Sequence, residues 1–349
     1  MAGCGCQMNA SRPETGSDDA QALYFRVMEG PGGSASIVTI DPVTSGTDTF
    51  RVASPCRRII CMSSSYVACL SAIGEIEAVC AVSGTDYISD TSARRRIESG
   101  EIAEAGYDSA PDYEKILALS PDAVVAYALH SSGNAFVTRL RQLGVPVLVL
   151  HDYLEHSPLA RAEYVRVFGA LTGRLSGADS IYNCVSRRYN EIAQAVSKAV
   201  NAGVQGRGER KVLMNIPYSD AWYIPGEENY MSRLIRDAGG RVLGAEPGRS
   251  ESSVISVERA YALSREADVW LNPGWCATRA SLNSENPVFK NFNINEIYNN
   301  TLKTNPRGGN DFWESGALRP DLILNDLALI LHPEAEISDT VFHYYKKVE

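Results

Sequence analysis

The sequence lacks both a strongly basic segment and a long hydrophobic run. Its 349 residues carry a formal net charge of −9, and the longest Lys/Arg run is Arg94-Arg95-Arg96. Because a protein that binds nucleic acid needs a basic face, this charge balance argues against a nucleic-acid partner. No stretch approaches the roughly 18 apolar residues that a transmembrane helix needs. We therefore expect a globular chain, long enough for two domains of about 100–200 residues each.

The sequence also lacks the common motifs of nucleotide-binding and hydrolytic enzymes. It contains no G-x-x-x-x-G-K-[ST], no H-E-x-x-H and no G-x-S-x-G. The eight cysteines form no C-x-x-C pair, and most lie in apolar stretches, which favours buried free thiols. His151 and His156 do not share one helical face, which argues against a metal site there. We predict a protein that is not an enzyme, with no catalytic residue, no metal site and no resident cofactor.

The first residues resemble the end of a lipoprotein cleavage site. In Ala2-Gly3-Cys4 the cysteine would become the lipidated N terminus, although no apolar signal-peptide core precedes it. A polar run follows as far as Asp19 and is typical of a tether. We therefore expect residues 1–34 to be a disordered lipoprotein tether, with lipidation at Cys4. A chance cysteine near the terminus is the alternative.

Strand and helix candidates alternate in two separate stretches, which predicts an α/β fold with mostly parallel sheets. Residues 35–156 form the first stretch, in which residues 35–54 have the pattern of a leading β-hairpin. Residues 201–349 form the second. Residues 157–200 between them are predicted to be helical, with apolar positions spaced by three or four residues at Ile181, Val185, Tyr189, Ile192 and Val196. The pattern predicts two Rossmann-like lobes joined by a long spine helix, with the ligand cleft between the lobes and little hinge motion.

The two α/β stretches share a repeated segment. Residues 114–125 (E-K-I-L-A-L-S-P-D-A-V-V) match residues 258–269 (E-R-A-Y-A-L-S-R-E-A-D-V) at an offset of 144. Generic apolar spacing explains the shared alanine, leucine and valine, but explains the matched Glu114 and Glu258 less well. An acidic residue in the first turn also stabilises a helix through its dipole, so capping is a competing explanation. The repeat favours two lobes of similar construction.

Several segments together resemble the class III periplasmic binding proteins, which serve ABC importers of iron–siderophore complexes, haem and cobalamin. They are residues 58–65 (R-I-I-C-M-S-S-S), 112–122 (D-Y-E-K-I-L-A-L-S-P-D), 157–164 (S-P-L-A-R-A-E-Y), 310–316 (N-D-F-W-E-S-G) and 319–324 (R-P-D-L-I-L). The resemblance spans residues 50–349. Within the family, the sequence looks most like the iron-complex and cobalamin lipoproteins of the Bacteroides group. It implies a monomeric solute-binding protein, lipid-anchored in the periplasm, that delivers a metal chelate to an ABC permease and its ATPase.

The resemblance also implies roles for individual residues. Glu114 and Glu258 would dock onto arginines of the permease, one from each lobe. Loops expected at the cleft are rich in aromatic residues, which suit a planar macrocycle or a catecholate, and Arg279 suits an anionic chelate. The predicted ligand-binding residues are Tyr66, Tyr87, Tyr107 and His130 in lobe one, and Trp222, Tyr223, Trp275, Arg279 and Trp313 in lobe two. Ordinary packing is the alternative for each aromatic residue.

The identity of the ligand stays open at this point. Residues 249–253 (R-S-E-S-S) are small or polar where cobalamin binders of the family are expected to carry an aromatic residue. Ferric siderophore, haem and corrinoid therefore all remain candidates. An enzyme or a metal-ion-binding protein on the same bilobal scaffold is the alternative function.

Overall fold

The computed structural model describes residues 21–127, 135–203, 208–219 and 221–349. Two of the predicted site residues, Cys4 and His130, lie outside these ranges. The described residues form two α/β lobes, each built on a five-stranded sheet, with a long helix between them. A three-stranded antiparallel sheet precedes the first lobe. The predicted α/β fold class is confirmed. None of the helices in these ranges combines the length and the apolar composition needed to cross a membrane.

The chain begins with a three-stranded antiparallel sheet. Strand β2 (Ala35–Ile40) lies between β1 (Phe25–Glu29) and β3 (Thr47–Val52), and its alternate residues are buried. Strands β2 and β3 confirm the predicted hairpin. Strand β1 falls within the range predicted to be a disordered tether, so that prediction is wrong for residues 21–34.

Two buried glutamates hold the start of the described chain. The Glu163 carboxylate accepts hydrogen bonds from the backbone N–H groups of residues 21 and 22 at 2.7 and 2.8 Å. The Glu155 carboxylate accepts those of residues 23 and 24 at 2.8 and 3.0 Å. Burial raises the pKa of Glu155 to about 7, against the lowering effect of these N–H groups. The first described residues are therefore fixed to the body of lobe one.

Lobe one is built on a parallel sheet with the strand order β10-β9-β4-β5-β6. Its strands are β4 (Ile59–Cys61), β5 (Val79–Val82), β6 (Ala103–Glu104), β9 (Ala123–Tyr127) and β10 (Val147–Leu150), and β7 (Gly106–Tyr107) pairs with β8 (Ala110–Pro111) in a small hairpin. Its helices are α1 (Ser64–Ala72), α2 (Thr91–Glu98), α3 (Tyr113–Leu119) and α4 (Ala135–Gln142). Strand β4 is buried along its whole length, as expected for a strand covered on both faces.

Three helices connect the lobes: α5 (Pro158–Glu163), α6 (Val165–Thr172) and α7 (Leu175–Asn201). Helix α7 has 27 residues and is therefore about 40 Å long. All five apolar positions that predicted this spine helix lie on its inner side, four of them buried and Ile181 partly buried. The prediction of a long interlobe helix is confirmed.

Lobe two has the strand order β13-β11-β15-β16-β17, parallel except for the pair β16–β17. Its strands are β11 (Arg210–Met214), β13 (Gly240–Val242), β15 (Val269–Leu271), β16 (Glu296–Asn299) and β17 (Lys346–Lys347), and β12 (Trp222–Ile224) pairs with β14 (Ser253–Ile255). Its helices are α8 (Tyr230–Asp237), α9 (Val257–Ser264), α10 (Arg279–Glu285), α11 (Asp311–Glu314) and α12 (Pro320–Leu331).

Candidate functional site

A cavity of about 380 Å³ lies at the carboxyl ends of the lobe-two strands, where ligands bind in open α/β sheets. The loop after β11 contributes Asn215, the loop after β15 contributes Asn272, and the loop after β16 contributes Thr301. Tyr153, which follows the last strand of lobe one, and Arg161 of α5 line the same cavity. The cavity therefore borders both lobes and the linker.

Two asparagines at equivalent strand ends shape the floor of this cavity. Asn215 and Asn272 have φ values of 65° and 58°, the left-handed region that asparagine adopts more readily than most residues. Buried tryptophans fix the backbone here, because Trp270 donates its indole N–H to the carbonyl of Asn215 at 2.8 Å. Trp222 donates to the carbonyl of Met214 at the same distance. The strand ends are thus rigid supports for the cavity.

Two of the predicted ligand-binding residues, Trp275 and Trp313, are exposed tryptophans that line the cavity. Trp275 is 64% exposed and Trp313 is 56% exposed, although both are large apolar side chains. Trp313 packs edge-on against Phe312, with the ring centroids 4.7 Å apart. Exposed aromatic surface at a concave site is typical of ligand binding.

Arg161 and Tyr230 form one side of the cavity. The guanidinium carbon of Arg161 lies 4.5 Å from the centre of the Tyr230 ring, in cation–π geometry. Burial raises the pKa of the Tyr230 hydroxyl, and the charge of Arg161 opposes this effect. Among the described lining residues, Arg161 alone carries a formal charge.

Tyr87 and Tyr107 lie together on lobe one, apart from the residues that line this cavity. About half of each side chain is exposed. The pKa of Tyr107 is raised by desolvation first and then by its contact with Tyr87. The two predicted ligand residues are therefore neighbours, but the structure gives them no direct place in the lobe-two cavity.

Tyr66 and Trp222 are core residues, and their prediction as cleft residues is wrong. Tyr66 is 2% exposed, and its hydroxyl donates a hydrogen bond to Asp152 at 2.8 Å. Trp222 is fully buried and stacks on Trp270, with the ring centroids 6.2 Å apart. Loop position along the chain suggested exposure for both residues, but each side chain points into the core of its lobe.

Arg279 and Tyr223 also have local roles in lobe two. The Arg279 side chain donates to the carbonyls of Phe289, Phe292 and Ile294, which holds the segment after α10. The structure thus directs three of its hydrogen bonds to the backbone, and Arg279 does not line the cavity. Tyr223 is exposed on β12, and its carbonyl accepts a hydrogen bond from Asn215.

A second contact region joins the lobes beside a larger cavity of about 770 Å³. We call it the interlobe latch: residues 303–316 of lobe two against residues 85–90 of lobe one. Asn305 donates its side-chain N–H to the carbonyls of Asp86 and Ile88 at 3.0 and 2.9 Å. The buried Glu314 carboxylate accepts the backbone N–H groups of residues 89 and 90 at 2.6 and 2.7 Å. Burial raises the pKa of Glu314 to about 8.

Glu114 and Glu258 occupy equivalent positions. Glu114 is exposed in the first turn of α3, and Glu258 is exposed in the first turn of α9. Helix α3 leads into β9, which pairs with β4, and helix α9 leads into β15, which pairs with β11. Asp112 caps α3 and Ser256 caps α9 by accepting a backbone N–H three residues later. The glutamates are therefore not the N-cap residues, and each lies in the first turn, where the helix dipole favours an acidic side chain. The repeat found in the sequence therefore marks corresponding sites on the two lobes.

The cysteines of the described residues are free thiols. Five of them, Cys56, Cys61, Cys69, Cys80 and Cys276, are buried, and Cys184 is exposed. Burial raises the pKa of Cys56 to about 11 and that of Cys61 well above its usual range. Across the described ranges, no group of three or more His, Cys, Asp or Glu side chains is placed to hold a metal ion.

The sequence interpretation missed Tyr153, Arg161, Tyr230 and the polar strand ends. Arg161 lies in the 157–164 segment that carried the family resemblance, but that segment was interpreted only as linker helix. A usable signal was present at the strand ends, because Asn215 and Asn272 each follow a short apolar strand directly. Polar residues at that point of a parallel strand indicate a ligand site.

Comparison with known proteins gives a family match over most of the chain. The sequence model of the family described as "Periplasmic binding protein" matches residues 59–294. Two uncharacterized lipoproteins of Methanocaldococcus jannaschii are similar in sequence. One is 27% identical, over 84% of this chain and 71% of its own length. The other is 25% identical, over 72% of this chain and 63% of its own length.

Solved structures share the fold. A periplasmic heme binding protein from Pseudomonas aeruginosa superimposes with a TM-score of 0.63 at 18% identity, covering 84% of this chain and 98% of its own. The periplasmic vitamin B12 binding protein of Vibrio cholerae has a TM-score of 0.57 at 12% identity, covering 81% of this chain and 99% of its own. At these identities the comparison establishes a common bilobal architecture.

Proposed function

Because the chain belongs to the periplasmic binding protein family, we propose that it is the extracytoplasmic solute-binding component of an ABC importer. We propose further that its ligand is an iron chelate, haem or a corrinoid. The observation that carries this proposal is the lobe-two cavity, which borders lobe one at Tyr153 and holds two exposed tryptophans beside the strand-end asparagines. Flat aromatic surface suits a planar macrocycle or a catecholate. The named ligands of the heme-binding and vitamin B12-binding structures are consistent with this class.

The permease and its ATPase are the proposed partners, and Glu114 and Glu258 the proposed docking residues. Both carboxylates are exposed, and they sit at corresponding places on two rigid lobes. Arginine–carboxylate pairs with a symmetric permease dimer would then orient the binding protein. A monomer presents one such pair of sites.

A lipid anchor at Cys4 is the proposed means of attachment on the periplasmic side of the membrane. The Ala2-Gly3-Cys4 sequence supports it, and so do the two similar proteins that are named lipoproteins. Radioactive palmitate labelling in cells of the protein fused to a lipoprotein signal peptide, compared with a Cys4→Ser variant, tests the attachment point.

Ligand binding is tested by titration of the purified protein with haem, cyanocobalamin, cobinamide and ferric siderophores. We expect one of these chelates to bind with 1:1 stoichiometry, visible as an absorbance change and as quenching of tryptophan fluorescence. Failure of all of them, together with tight binding of a bare first-row metal ion, would instead favour a metal-ion-binding protein. Turnover of a bound compound would favour an enzyme on this scaffold.

A further inference from the structure

Arg161 brings a positive charge to the wall of the lobe-two cavity in a chain whose formal net charge is −9. Its guanidinium lies over the Tyr230 ring, and its Nε atom is buried without a hydrogen-bond partner in the described part of the chain. No ion pair joins Arg161 to a carboxylate within those same residues. By contrast Arg166, in the next helix, pairs with Glu163 and Asp179 at 2.5 and 2.8 Å.

An arginine left in this state is costly to the fold. A buried donor without a partner costs about 1–3 kcal/mol, and more when it belongs to a charged group. The Tyr230 ring offsets part of this cost through the cation–π contact, which also fixes the orientation of the guanidinium. The arrangement therefore holds a pre-oriented cation at the cavity, with hydrogen-bonding capacity that the described residues leave unused.

A second polar group in the same cavity is also unsatisfied. Thr301 follows β16, is 5% exposed, and its hydroxyl has no hydrogen-bond partner among the described residues. Buried hydroxyl groups nearly always have a partner, so this one keeps the capacity for one further hydrogen bond. Thr301 therefore adds an unused hydrogen-bonding group to a cavity lining in which Arg161 is the one charged residue among those described.

We propose that Arg161 binds an anionic oxygen group of the ligand, a carboxylate or a phosphate, and that Thr301 adds a hydrogen bond to the same molecule. The inference rests on the proposed function, because it places a metal chelate in this cavity. It narrows the ligand to a chelate that carries such a group, with Trp275 and Trp313 contacting its flat part. Fork-like pairing of a guanidinium with carboxylate or phosphate gives both affinity and orientation.

The test uses pairs of chelates that differ in the anionic group. Haem is compared with its dimethyl ester. Cobalamin is compared with cobinamide, which lacks the nucleotide-loop phosphate. The ferric complex of a carboxylate siderophore is compared with that of a neutral trihydroxamate siderophore. Each is titrated into the wild-type protein and into Arg161→Gln, Arg161→Lys and Arg187→Gln variants. Arg187 is an exposed residue of α7 that does not line the cavity, and serves as the matched control. Circular dichroism confirms that each variant is folded.

We expect the wild-type protein to prefer the anionic member of one pair. For that member, Arg161→Gln should raise Kd about 10- to 100-fold, the usual loss for a charged hydrogen bond. Arg161→Lys should restore part of the affinity, and Arg187→Gln should match the wild-type protein. The neutral member should bind to wild-type and Arg161→Gln proteins with similar Kd. The pair that responds identifies whether the group is a haem carboxylate, a corrinoid phosphate or a siderophore carboxylate.

Two results would overturn the inference and leave the proposed function standing. One is an anionic chelate that binds equally well to the wild-type and Arg161→Gln proteins. The other is an equal loss of affinity for both members of a pair, which would give Arg161 only a structural role. If the wild-type protein binds none of the six compounds, the proposed function fails, and the inference fails with it.

Discussion

At the scale of single residues, the exposed tryptophans separate ligand binding from packing. Trp275 and Trp313 expose more than half of their side chains, so truncating either one removes little from the core. We expect Trp275→Ala and Trp313→Ala each to raise the ligand Kd about 5- to 30-fold, since each loses about 1–2 kcal/mol of apolar contact. Their melting temperatures should stay near that of the wild-type protein.

The matched control for these tryptophans is Tyr218, a highly exposed aromatic residue that does not line the cavity. Tyr218→Ala should bind the ligand like the wild-type protein in the same fluorescence or absorbance titration. Equal affinity of all three variants would mean that the ligand does not contact the tryptophans.

Glu314 makes the stability of the protein depend on pH. Burial raises its folded-state pKa to about 8, above the value of about 4.3 in an unfolded chain. Below about pH 4.3 the carboxyl is protonated in both states. Between there and about pH 8, the unfolded chain releases a proton that the folded protein keeps, so the free energy of unfolding falls as pH rises. Above that window the loss is complete, on the order of a few kcal/mol.

Urea unfolding of wild-type and Glu314→Gln proteins at pH 5 and pH 9 measures this effect. Glutamine has no proton to lose, so the variant should lose less stability than the wild-type protein between the two pH values. Glu155 shifts in the same direction but is present in both proteins, so the difference isolates Glu314. The exposed Glu77→Gln variant should follow the wild-type curve. Parallel curves for the Glu314→Gln and wild-type proteins would contradict the assigned pKa.

Individual residues also show where sequence reasoning succeeds and fails. The exposure of Trp275 and Trp313 agrees with the expectation that both lie in segments that face the cleft. The same reasoning failed for Tyr66 and Trp222, because burial depends on which elements pack over a residue. A single sequence does not show that packing, so it does not distinguish a residue whose side chain lines a cavity from one whose side chain is buried in the core.

At the scale of elements, the repeated strand–helix units were predictable because local spacing controls them. Helix α3 (Tyr113–Leu119) begins one residue before the repeated segment that starts at Glu114. The small elements β16, β17 and α11 were not predicted, since they are short and their stability comes from neighbouring strands and from the latch. Arg161 was missed for the related reason that a helix pattern does not show which face meets a cavity.

Helices α3 and α9 carry the prediction for permease docking. We expect Glu114→Ala combined with Glu258→Ala to abolish uptake of the ligand in cells, because each lobe loses its contact with the permease. Ligand Kd should be unchanged, because both residues are exposed and neither lines a cavity described above. Uptake of labelled ligand and titration of the purified variant measure the two effects.

The matched control for docking replaces Lys115 and Arg259, the exposed residues that directly follow the two glutamates, by alanine. This pair should retain uptake if the carboxylates themselves make the contact. Loss of ligand affinity in the double glutamate variant, or normal uptake by it, would remove the docking assignment.

At the scale of the whole molecule, two connections restrict relative motion of the lobes. Helix α7 packs against α6 on the lobe-one side and against α12 of lobe two. The interlobe latch adds the bonds from Asn305 and Glu314 to residues 86–90. Rotation of one lobe against the other would have to bend a continuous helix and break buried hydrogen bonds. A large domain closure on ligand binding is therefore not expected.

Small-angle X-ray scattering of the ligand-free and ligand-bound protein tests this expectation. The radius of gyration should agree within error between the two states. Replacing the exposed Glu191 in the middle of α7 by proline should break the helix at a cost of about 3 kcal/mol. The distribution of interlobe distances should then broaden, whereas it should stay unchanged in the Glu191→Ala control. Because the latch remains in both variants, any difference between them measures the stiffness that the spine helix supplies. A marked decrease in the wild-type radius of gyration on ligand binding would show that the lobes close despite both connections.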